Sequence, residues 1–357
     1  MIGKIKFLNY KFLVLLISVV IFINSLIQKN FYIIFAYLIS FITAIFFTNH
    51  GINFIKKFKL LQNIREEIPK THLTKNKTPT MGGLFIVPLF LVITFFSDIQ
   101  PITLKINFLI TVLGFSLIGF IDDFLSIQNQ RNLGLKSQDK LILQILIASF
   151  FIFFLSSNNL LNPNIYIFNN LIINIQEFIF PLSLLTIIGL SNSTNLTDGL
   201  DGLAGGCSAI TLCGLGTEII LRGDKNLLIY SILSFCLSGI CLGFLKFNKY
   251  PAKIFMGDTG SLSLGAIIGM ICVITNSFFT TFIISGIFIF ETLSVILQVT
   301  YFKITKKIFN KGKRLFLMTP IHHHFELKGI NENKIVESFW IVNILLIIFS
   351  ILLKKSF

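Results

Sequence analysis

Long apolar runs separated by short polar loops dominate this chain. A helix needs about 20 largely apolar residues to cross a hydrocarbon core of ~30 Å. Ten segments have that pattern, at approximately 31–49, 82–97, 105–121, 141–156, 178–190, 203–221, 227–245, 262–279, 281–302 and 336–353. An eleventh, 12–28, is too long for a typical signal-peptide core, so we expect it to be retained as a span or an interfacial helix. The pattern predicts an all-α polytopic membrane protein, with an N-terminal apolar segment at 1–30 and one integral membrane domain at 31–357.

The composition agrees with this class. Hydrophobic residues make up 54% of the chain and charged residues only 13%, whereas a soluble protein has roughly 25% charged residues. The five cysteines lie in apolar segments and form no C-x-x-C pair, which favours packing over redox or metal chemistry. Gly265 and Gly269 form a small-x-x-x-small pair, which we also assign to helix packing.

The net charge of +14 is distributed unevenly among the loops. Lysine and arginine crowd the loops at 50–81 and 303–335, whereas the loops at 98–104 and 157–177 contain neither. Alternating apolar stretches in 157–176 predict a small hairpin on that uncharged outer side. The positive-inside rule predicts five cytoplasmic loops, at 50–81, 122–140, 191–202, 246–261 and 303–335.

Two adjacent carboxylates, Asp122 and Asp123, close the apolar run "IGFIDDFLSI". Neighbouring like charges repel unless a cation or a shared proton relieves them, and carboxylates at a helix C-terminus also oppose the macrodipole. Metal-linked or acid–base chemistry at the membrane surface is therefore a better interpretation than a simple helix end.

A second motif, "NSTNLTDGLDGLAGG", spaces two amides and two acids three residues apart, at Asn192, Asn195, Asp198 and Asp201. Residues with that spacing neighbour one another on a helix, and glycines run beside them with the same spacing. The alternative is a solvated helix end with small residues for packing. We favour a polar binding stripe.

Two more cytoplasmic loops combine glycines with polar side chains. In "NKYPAKIFMGDTGSLSLG", Asp258 stands among glycines and hydroxyls just before a span, which suits an N-terminal cap, a phosphate and metal site, or both. In "KTHLTKNKTPTMGG", Lys75 and Thr80 stand near a glycine pair, a pattern typical of phosphate binding or of a solvated basic loop.

Three of the five histidines are consecutive, in "TPIHHHFE". Because His322, His323 and His324 would point in different directions on a helix, they make a poor zinc site. A loop that hydrogen-bonds phosphate or a nucleotide fits them better.

Together and in this order, the motifs resemble those of phospho-N-acetylmuramoyl-pentapeptide transferases. These bacterial enzymes make lipid I for peptidoglycan synthesis and belong to the polyprenyl-phosphate N-acetylhexosamine-1-phosphate transferases. The similarity extends from about Arg65 to Lys328 and includes "TPTMGG", "DD", "NLTDGLDGLAGG", "YPAKIFMGDTGSL", "ETLSVILQV" and "TPIHHHFE". The aspartate motifs are shared across that superfamily, whereas "TPIHHHFE" resembles the muramoyl-pentapeptide branch in particular.

The resemblance implies a ten-helix bundle in the bacterial inner membrane, usually a homodimer, with its cleft open to the cytoplasm. It also implies Mg²⁺-dependent transfer of phospho-N-acetylmuramoyl-pentapeptide from UDP to undecaprenyl phosphate, with release of UMP. No nucleic-acid partner is expected.

Site residues follow by motif position. The resemblance makes Asp258 the Mg²⁺ ligand, with Asn192 as a second candidate, and Asp122 the base or lipid-phosphate partner. Asp123 and His322 complete the expected catalytic group. The expected substrate-binding residues are Lys75, Thr80, Lys140, Asn192, Asn195, Asp198, Asp201, Asn248, Phe255, Gly257, Gln298, His323 and His324.

Two positions depart from the family pattern. The family usually has a lysine in D-D-x-x-K, where this chain has Ser126, so Lys136 or Lys140 would have to supply the charge. Lys77 stands where a glycine usually precedes T-P-T-M-G-G, so the turn there is expected to differ.

Two other functions are considered. A sister transferase would use UDP-N-acetylglucosamine, and an ion-coupled transporter would also have intramembrane acids and glycine-interrupted helices. Transporters place such charges near the bilayer midplane, whereas here only Glu291 falls at the middle of a predicted span. For the transferase, we favour direct attack by the lipid phosphate over a two-step route through an aspartyl-phosphate.

Overall fold

The described part of the protein is a bundle of helices with one small hairpin. The computed structural model describes residues 8–58, 78–129, 134–167 and 172–356. Within these ranges the helices are α1 (Tyr10–Ile27), α2 (Tyr32–Lys57), α3 (Gly83–Phe96), α4 (Ile102–Gln128), α5 (Ser137–Ser157), α6 (Ile179–Thr197), α7 (Leu203–Arg222), α8 (Leu228–Asn248), α9 (Gly257–Thr275), α10 (Phe278–Ile284), α11 (Gly286–Phe309), α12 (Ile321–Leu327) and α13 (Glu332–Ser356). Ten of these described helices are long and apolar enough to cross a membrane. The predicted all-α polytopic membrane class is confirmed.

Helices α7, α8 and α9 form the interior of the bundle. Helix α9 packs against α6, α4 and α3, while α8 packs against α2 and α7. The outer helices α1, α2, α5, α11 and α13 bury only one side, and their large apolar side chains face outward. That arrangement suits lipid around the rim and protein contacts at the centre. All five cysteines are buried and unpaired, as expected for packing.

The close contact between α6 and α9 depends on glycine. A methyl group added at Gly265 would overlap the Leu190 carbonyl oxygen, and one added at Gly269 would lie 2.7 Å from the Ile187 Cα. Ser191 donates a hydrogen bond to the Leu262 carbonyl across the same contact, at 2.9 Å. The predicted packing role of the Gly265 and Gly269 pair is confirmed.

Helix α1 lies along the bundle from one end to the other. Tyr10 Oη donates a hydrogen bond to the Leu242 carbonyl in the last two turns of α8, at 3.1 Å. Asn24 Nδ2 donates to Thr217 Oγ1 in the last two turns of α7, at 3.0 Å. Since α7 and α8 follow each other as an antiparallel pair, these two contacts are at opposite ends. Helix α1 is also one of the ten described helices that are long and apolar enough to cross a membrane.

Three boundaries differ from the sequence expectation. The predicted span 281–302 is divided into α10 and α11, which meet at Ser285. Helix α4 continues to Gln128, so Asp122 and Asp123 lie inside the helix and not at its end. The polar stripe was expected to be helical throughout, but α6 ends at Thr197 because glycines follow it, one of them Gly202 with a φ of +82°.

The predicted hairpin is confirmed. Strands β1 (Asn164–Tyr166) and β2 (Ile172–Asn174) pair antiparallel, with Ile165 opposite Ile173. The Asn276 side chain, just after α9, donates a hydrogen bond to the Asn164 carbonyl. The hairpin therefore covers the end of the bundle opposite Asp122 and Asp258.

We predict that Gly265→Ala will lower the thermal midpoint of the detergent-purified protein by several degrees. Forcing a methyl group into this contact should cost about 1–3 kcal/mol. The matched control is Gly189→Ala on α6, where an added methyl group meets no atom within 4 Å. That control should be neutral or slightly stabilising, because alanine is the better helix former. Equal midpoints for the two variants would contradict the packing assignment.

Candidate active site

One ammonium group lies between two carboxylates from different helices. Lys140 Nζ, on α5, is 2.6 Å from Asp258 Oδ2 on α9 and 3.0 Å from Asp122 Oδ1 on α4. The backbone N–H of Leu135 also donates to Asp122 Oδ1, at 2.9 Å. Lys140 therefore neutralises part of the repulsion between the two acids. Lys140 is also one of the two lysines that the sequence analysis named as substitutes for the lysine missing at Ser126.

Asp123 contacts the first turn of α9. Its two carboxylate oxygens accept hydrogen bonds from the backbone N–H groups of Asp258 and Thr259, both at 3.0 Å, and from the Thr259 hydroxyl at 2.6 Å. These N–H groups have no partner within their own helix, and a carboxylate is favoured beside them. Asp123 thus caps α9 from a neighbouring helix, a role that the sequence interpretation considered only for Asp258 itself.

Gly257 makes that approach possible. Its φ is +72°, and a methyl group there would lie 2.6 Å from Asp123 Oδ2. A side chain at this position would therefore be strained and would also push the Asp123 carboxylate away from α9.

The two asparagines of the polar stripe have different partners. Asn195 Nδ2 donates to Asp258 Oδ1 at 2.7 Å and to Ser261 Oγ at 3.0 Å. Asn192 lies one turn earlier, and its amide donates to Gln144 Oε1 on α5 at 2.6 Å. Asn195 therefore belongs to the carboxylate cluster, whereas Asn192 faces Gln144. The metal role suggested for Asn192 stays a prediction.

Asp198 lies beside the same cluster, in the turn that follows α6. Loss of hydration and the nearby negative charges of Asp258 and Asp123 raise the pKa of Asp198 to about 8. Asp198 thus adds another acidic group beside the Asp122–Lys140–Asp258 contact.

A second group of expected site residues supports the loop before α9. Asp201 is buried and accepts a hydrogen bond from the Ala252 N–H at 2.9 Å. Asn248 is also buried, and its amide donates to the Ile254 carbonyl at 2.9 Å. These contacts hold the loop that leads into Gly257 and Asp258.

The "TPTMGG" segment adjoins this loop through backbone contacts. Phe255 donates from its N–H to the Pro79 carbonyl at 2.8 Å, and its carbonyl accepts from Gly82 at 2.9 Å. Thr80, between them, is buried. Lys75, expected to bind phosphate, lies outside the described residues.

The histidine triplet lies on the short helix α12 and not in the loop that the sequence suggested. His322 is fully buried, with Nδ1 at 3.1 Å from Glu291 Oε1 on α11. A methyl group at Gly199 would overlap His322 Nε2, so the ring lies against the turn between α6 and α7. His323 Nδ1 is 2.7 Å from Glu326 Oε2.

The third histidine and Gln298 support the segment before α12. His324 Nδ1 accepts a hydrogen bond from the Leu317 N–H at 3.1 Å. Gln298 Oε1 accepts from the N–H groups of Leu315 and Phe316, at 2.8 and 2.9 Å. In this structure both side chains contact the 315–317 backbone and not the carboxylate cluster.

The sequence interpretation did not assign site roles to Glu291 or Gln144. Each had a detectable signal, since each is a polar side chain within an otherwise apolar helix. What the sequence could not show was the partner, because His322 and Asn192 approach them from distant parts of the chain.

The donor set suits a hard divalent cation held jointly with substrate. Among the described residues, no group of three or more His, Cys, Asp or Glu side chains is arranged around a common metal position. Mg²⁺ is commonly bound by one or two carboxylates together with water and substrate phosphates. Asp258 and Asp122 provide carboxylates of that kind, close to one another.

We predict that Asp198→Asn will stabilise the metal-free protein more at pH 9 than at pH 6. The unfolded aspartate titrates near pH ~3.9, whereas the folded pKa is about 8. Ionisation in the folded state is thus unfavourable, and its cost grows as the pH rises from about 4 to 8 and then stays constant. Asparagine removes this cost. Thermal midpoints in EDTA at both pH values test this; an equal gain at both would contradict the raised pKa.

Two family models match parts of this chain, and several known proteins are similar to it over most of their length. A glycosyl transferase family 4 model matches residues 105–276, and phospho-N-acetylmuramoyl-pentapeptide-transferase signature 1 matches residues 75–87. A phospho-N-acetylmuramoyl-pentapeptide-transferase of Prochlorococcus marinus strain MIT 9301 is 55% identical over 355 residues, or 99% of each chain. That of strain NATL2A is 44% identical over 94% of this chain and 91% of its own. That of Synechococcus sp. strain CC9605 is 40% identical over 85% and 87%. The chain therefore belongs to the phospho-N-acetylmuramoyl-pentapeptide-transferase family.

Proposed function

We propose that the protein transfers phospho-N-acetylmuramoyl-pentapeptide from UDP to undecaprenyl phosphate, giving lipid I and UMP. The observation that carries the proposal is the contact of Lys140 with both Asp122 and Asp258, in a chain that belongs to this family. We further propose that this end of the bundle faces the cytoplasm, since the lysine-rich segment at 303–335 adjoins it through the contacts of His322 with Gly199 and of Glu332 with Asp201. The homodimer stays an expectation.

In the proposed reaction, an oxygen of the lipid phosphate attacks the β-phosphorus of the UDP-sugar. A new oxygen–phosphorus bond forms, the bond between the β-phosphorus and the bridging oxygen breaks, and UMP leaves. A phosphate monoester has a second pKa of about 6, so the lipid phosphate is largely ionised near neutrality. Asp122 would accept its residual proton and orient the attacking oxygen.

The other residues position groups and balance charge. Phosphoryl transfer depends mainly on alignment and on neutralisation of the phosphate oxygens. Asp258 would hold Mg²⁺, and the bound cation would supply part of that neutralisation. Lys140 would exchange part of its contact with Asp258 for the substrate phosphates. Asn195 would keep the Asp258 carboxylate oriented, and Asp123 would hold the α9 turn that carries Asp258.

The location of the cluster explains how the two substrates meet. Asp122 is within the last two turns of α4 and Asp258 is in the first turn of α9, so we place both close to the membrane surface. A polyprenyl tail holds one phosphate at that surface, whereas the nucleotide arrives from water. A transporter would need such acids deeper in the bundle, so the transferase accounts better for their placement.

The first test is substrate choice. Purified protein is incubated with undecaprenyl phosphate, Mg²⁺ and either UDP-N-acetylmuramoyl-pentapeptide or UDP-N-acetylglucosamine, and UMP and lipid product are measured. We expect release with the muramoyl substrate alone. Release with UDP-N-acetylglucosamine instead would indicate the sister transferase, and release with neither would contradict the proposed function.

We predict that Asp258→Asn will lower kcat by about 10³-fold or more, because it removes the carboxylate proposed to hold the metal. The folded structure should persist, since asparagine has nearly the same shape. UMP release is measured over a range of Mg²⁺ concentrations, together with the thermal midpoint. Near-normal turnover would exclude Asp258 as the metal ligand.

We predict that Lys140→Met will lower kcat by about 100-fold. The change removes the positive charge between Asp122 and Asp258 while retaining the length of the side chain. The matched control is Lys105→Met at the other end of α4, where Nζ donates to the Ser97 carbonyl at 3.0 Å. That variant should turn over normally. Equal activities of the two variants would show that Lys140 does not act in transfer.

A further inference from the structure

The Glu291 and His322 pair is the most deeply buried ionisable contact in the described structure that the proposed mechanism does not use. Both side chains have 0% exposure, and the only contact between them joins Oε1 to Nδ1 at 3.1 Å. A carboxylate inside a helix bundle is costly unless something compensates for its lost hydration. The pair therefore calls for an explanation beyond packing.

The two side chains have no better partners than each other. Within the described ranges, neither Glu291 oxygen and neither His322 ring nitrogen has a well-aligned hydrogen bond. His322 Nε2 lies instead against Gly199, where any side chain would overlap it. The imidazole thus fills the space between α11 and the turn that joins α6 to α7.

That turn carries two acids of the site. Asp198 precedes Gly199 directly and lies near Asp258, while Asp201 accepts the hydrogen bond from Ala252 in the loop before α9. A shift of the imidazole would therefore shift the turn, and with it the surroundings of Asp258.

A carboxylate beside one imidazole nitrogen also decides which nitrogen carries the proton. Glu291 at Nδ1 favours the Nδ1–H tautomer and leaves the lone pair at Nε2, on the side of Gly199. Carboxylates that orient histidines in this way are common behind metal and catalytic sites.

We propose that Glu291 is a positioning residue: it fixes the orientation and tautomer of His322, which in turn holds the turn at Gly199 beside the carboxylate cluster. This inference rests on the proposed transfer function. It gives His322 a supporting place behind the acids, in agreement with the full burial of its ring.

The test is a double-mutant cycle of Glu291→Gln and His322→Gln, with kcat, KM for both substrates and thermal midpoints measured. Glutamine keeps the shape of Glu291 and removes its charge. We expect Glu291→Gln to lower kcat about 10- to 100-fold, to change KM less than about threefold, and to have little further effect in the His322→Gln background. A wild-type kcat in Glu291→Gln would overturn the proposal. So would an equal loss of kcat from Glu291→Gln in the wild-type and His322→Gln backgrounds.

Glu218→Gln is the matched control for a buried acid. Glu218 is buried near the other end of α7 and pairs with Arg222 at 2.5 Å. Its substitution should lower the thermal midpoint and leave kcat unchanged. If Glu291→Gln behaves in the same way, its role is structural and the proposal fails.

A spectroscopic measurement separates this inference from the proposed function. In ¹⁵N-histidine-labelled protein, the signal lost in His322→Gln identifies His322, and its nitrogen shifts report the tautomer. We expect Nδ1–H in the wild type and a shift away from it in Glu291→Gln. An Nε2–H ring in the wild type would overturn the pairing even if transfer proceeds normally. An inactive wild type with the expected tautomer would overturn the proposed function alone.

Discussion

The repulsion among closely placed carboxylates is the constraint on which the rest of this site depends. Asp122, Asp123 and Asp258 converge from two helices, and bringing such charges together away from water is unfavourable. Each therefore has its own compensation: Lys140 lies between Asp122 and Asp258, and the α9 N–H groups bind Asp123. The geometry of these compensating contacts determines how closely α4, α5 and α9 pack at this end of the bundle.

Small residues lie against α9 at the same end of the bundle. A methyl group at Gly119 on α4 would overlap the Asp258 carbonyl, and one at Gly83 on α3 would overlap the Gly260 N–H. The backbones themselves are in contact there, so the position of the Asp258 carboxylate depends on few flexible side chains. Direct backbone contacts therefore help to fix the position of the Asp258 carboxylate, which a site that works by alignment and charge neutralisation requires.

Much of this organisation could be predicted from sequence because its causes are local. Apolar run length identified most of the long apolar helices, although α3 (Gly83–Phe96) is shorter than the ten that could cross a membrane. Alternation identified the hairpin, and glycine spacing identified a packing surface on α9 but not its partner α6. The break at Ser285 was not predicted, because an apolar run continues across it. The end of α6 at Thr197 was not predicted either, because the three-residue spacing of polar side chains continues beyond it. The site acids were identified as candidates, but their partners depend on contacts between distant segments, as with Glu291 and His322. No pattern along the chain specifies such a pair.

Helix α1 has a consequence for the two faces of the protein. Its first turn contacts the end of α8 near Asn248, and the Lys249 ammonium lies 4.6 Å from the centre of the Tyr10 ring. The residues just before Tyr10 therefore emerge on the face that carries Asp258, whereas α13 begins on that face and ends on the other. With the proposed orientation, in which the Asp258 face is cytoplasmic, a reporter fused ahead of α1 is expected in the compartment of the nucleotide substrate and one fused after α13 in the opposite compartment.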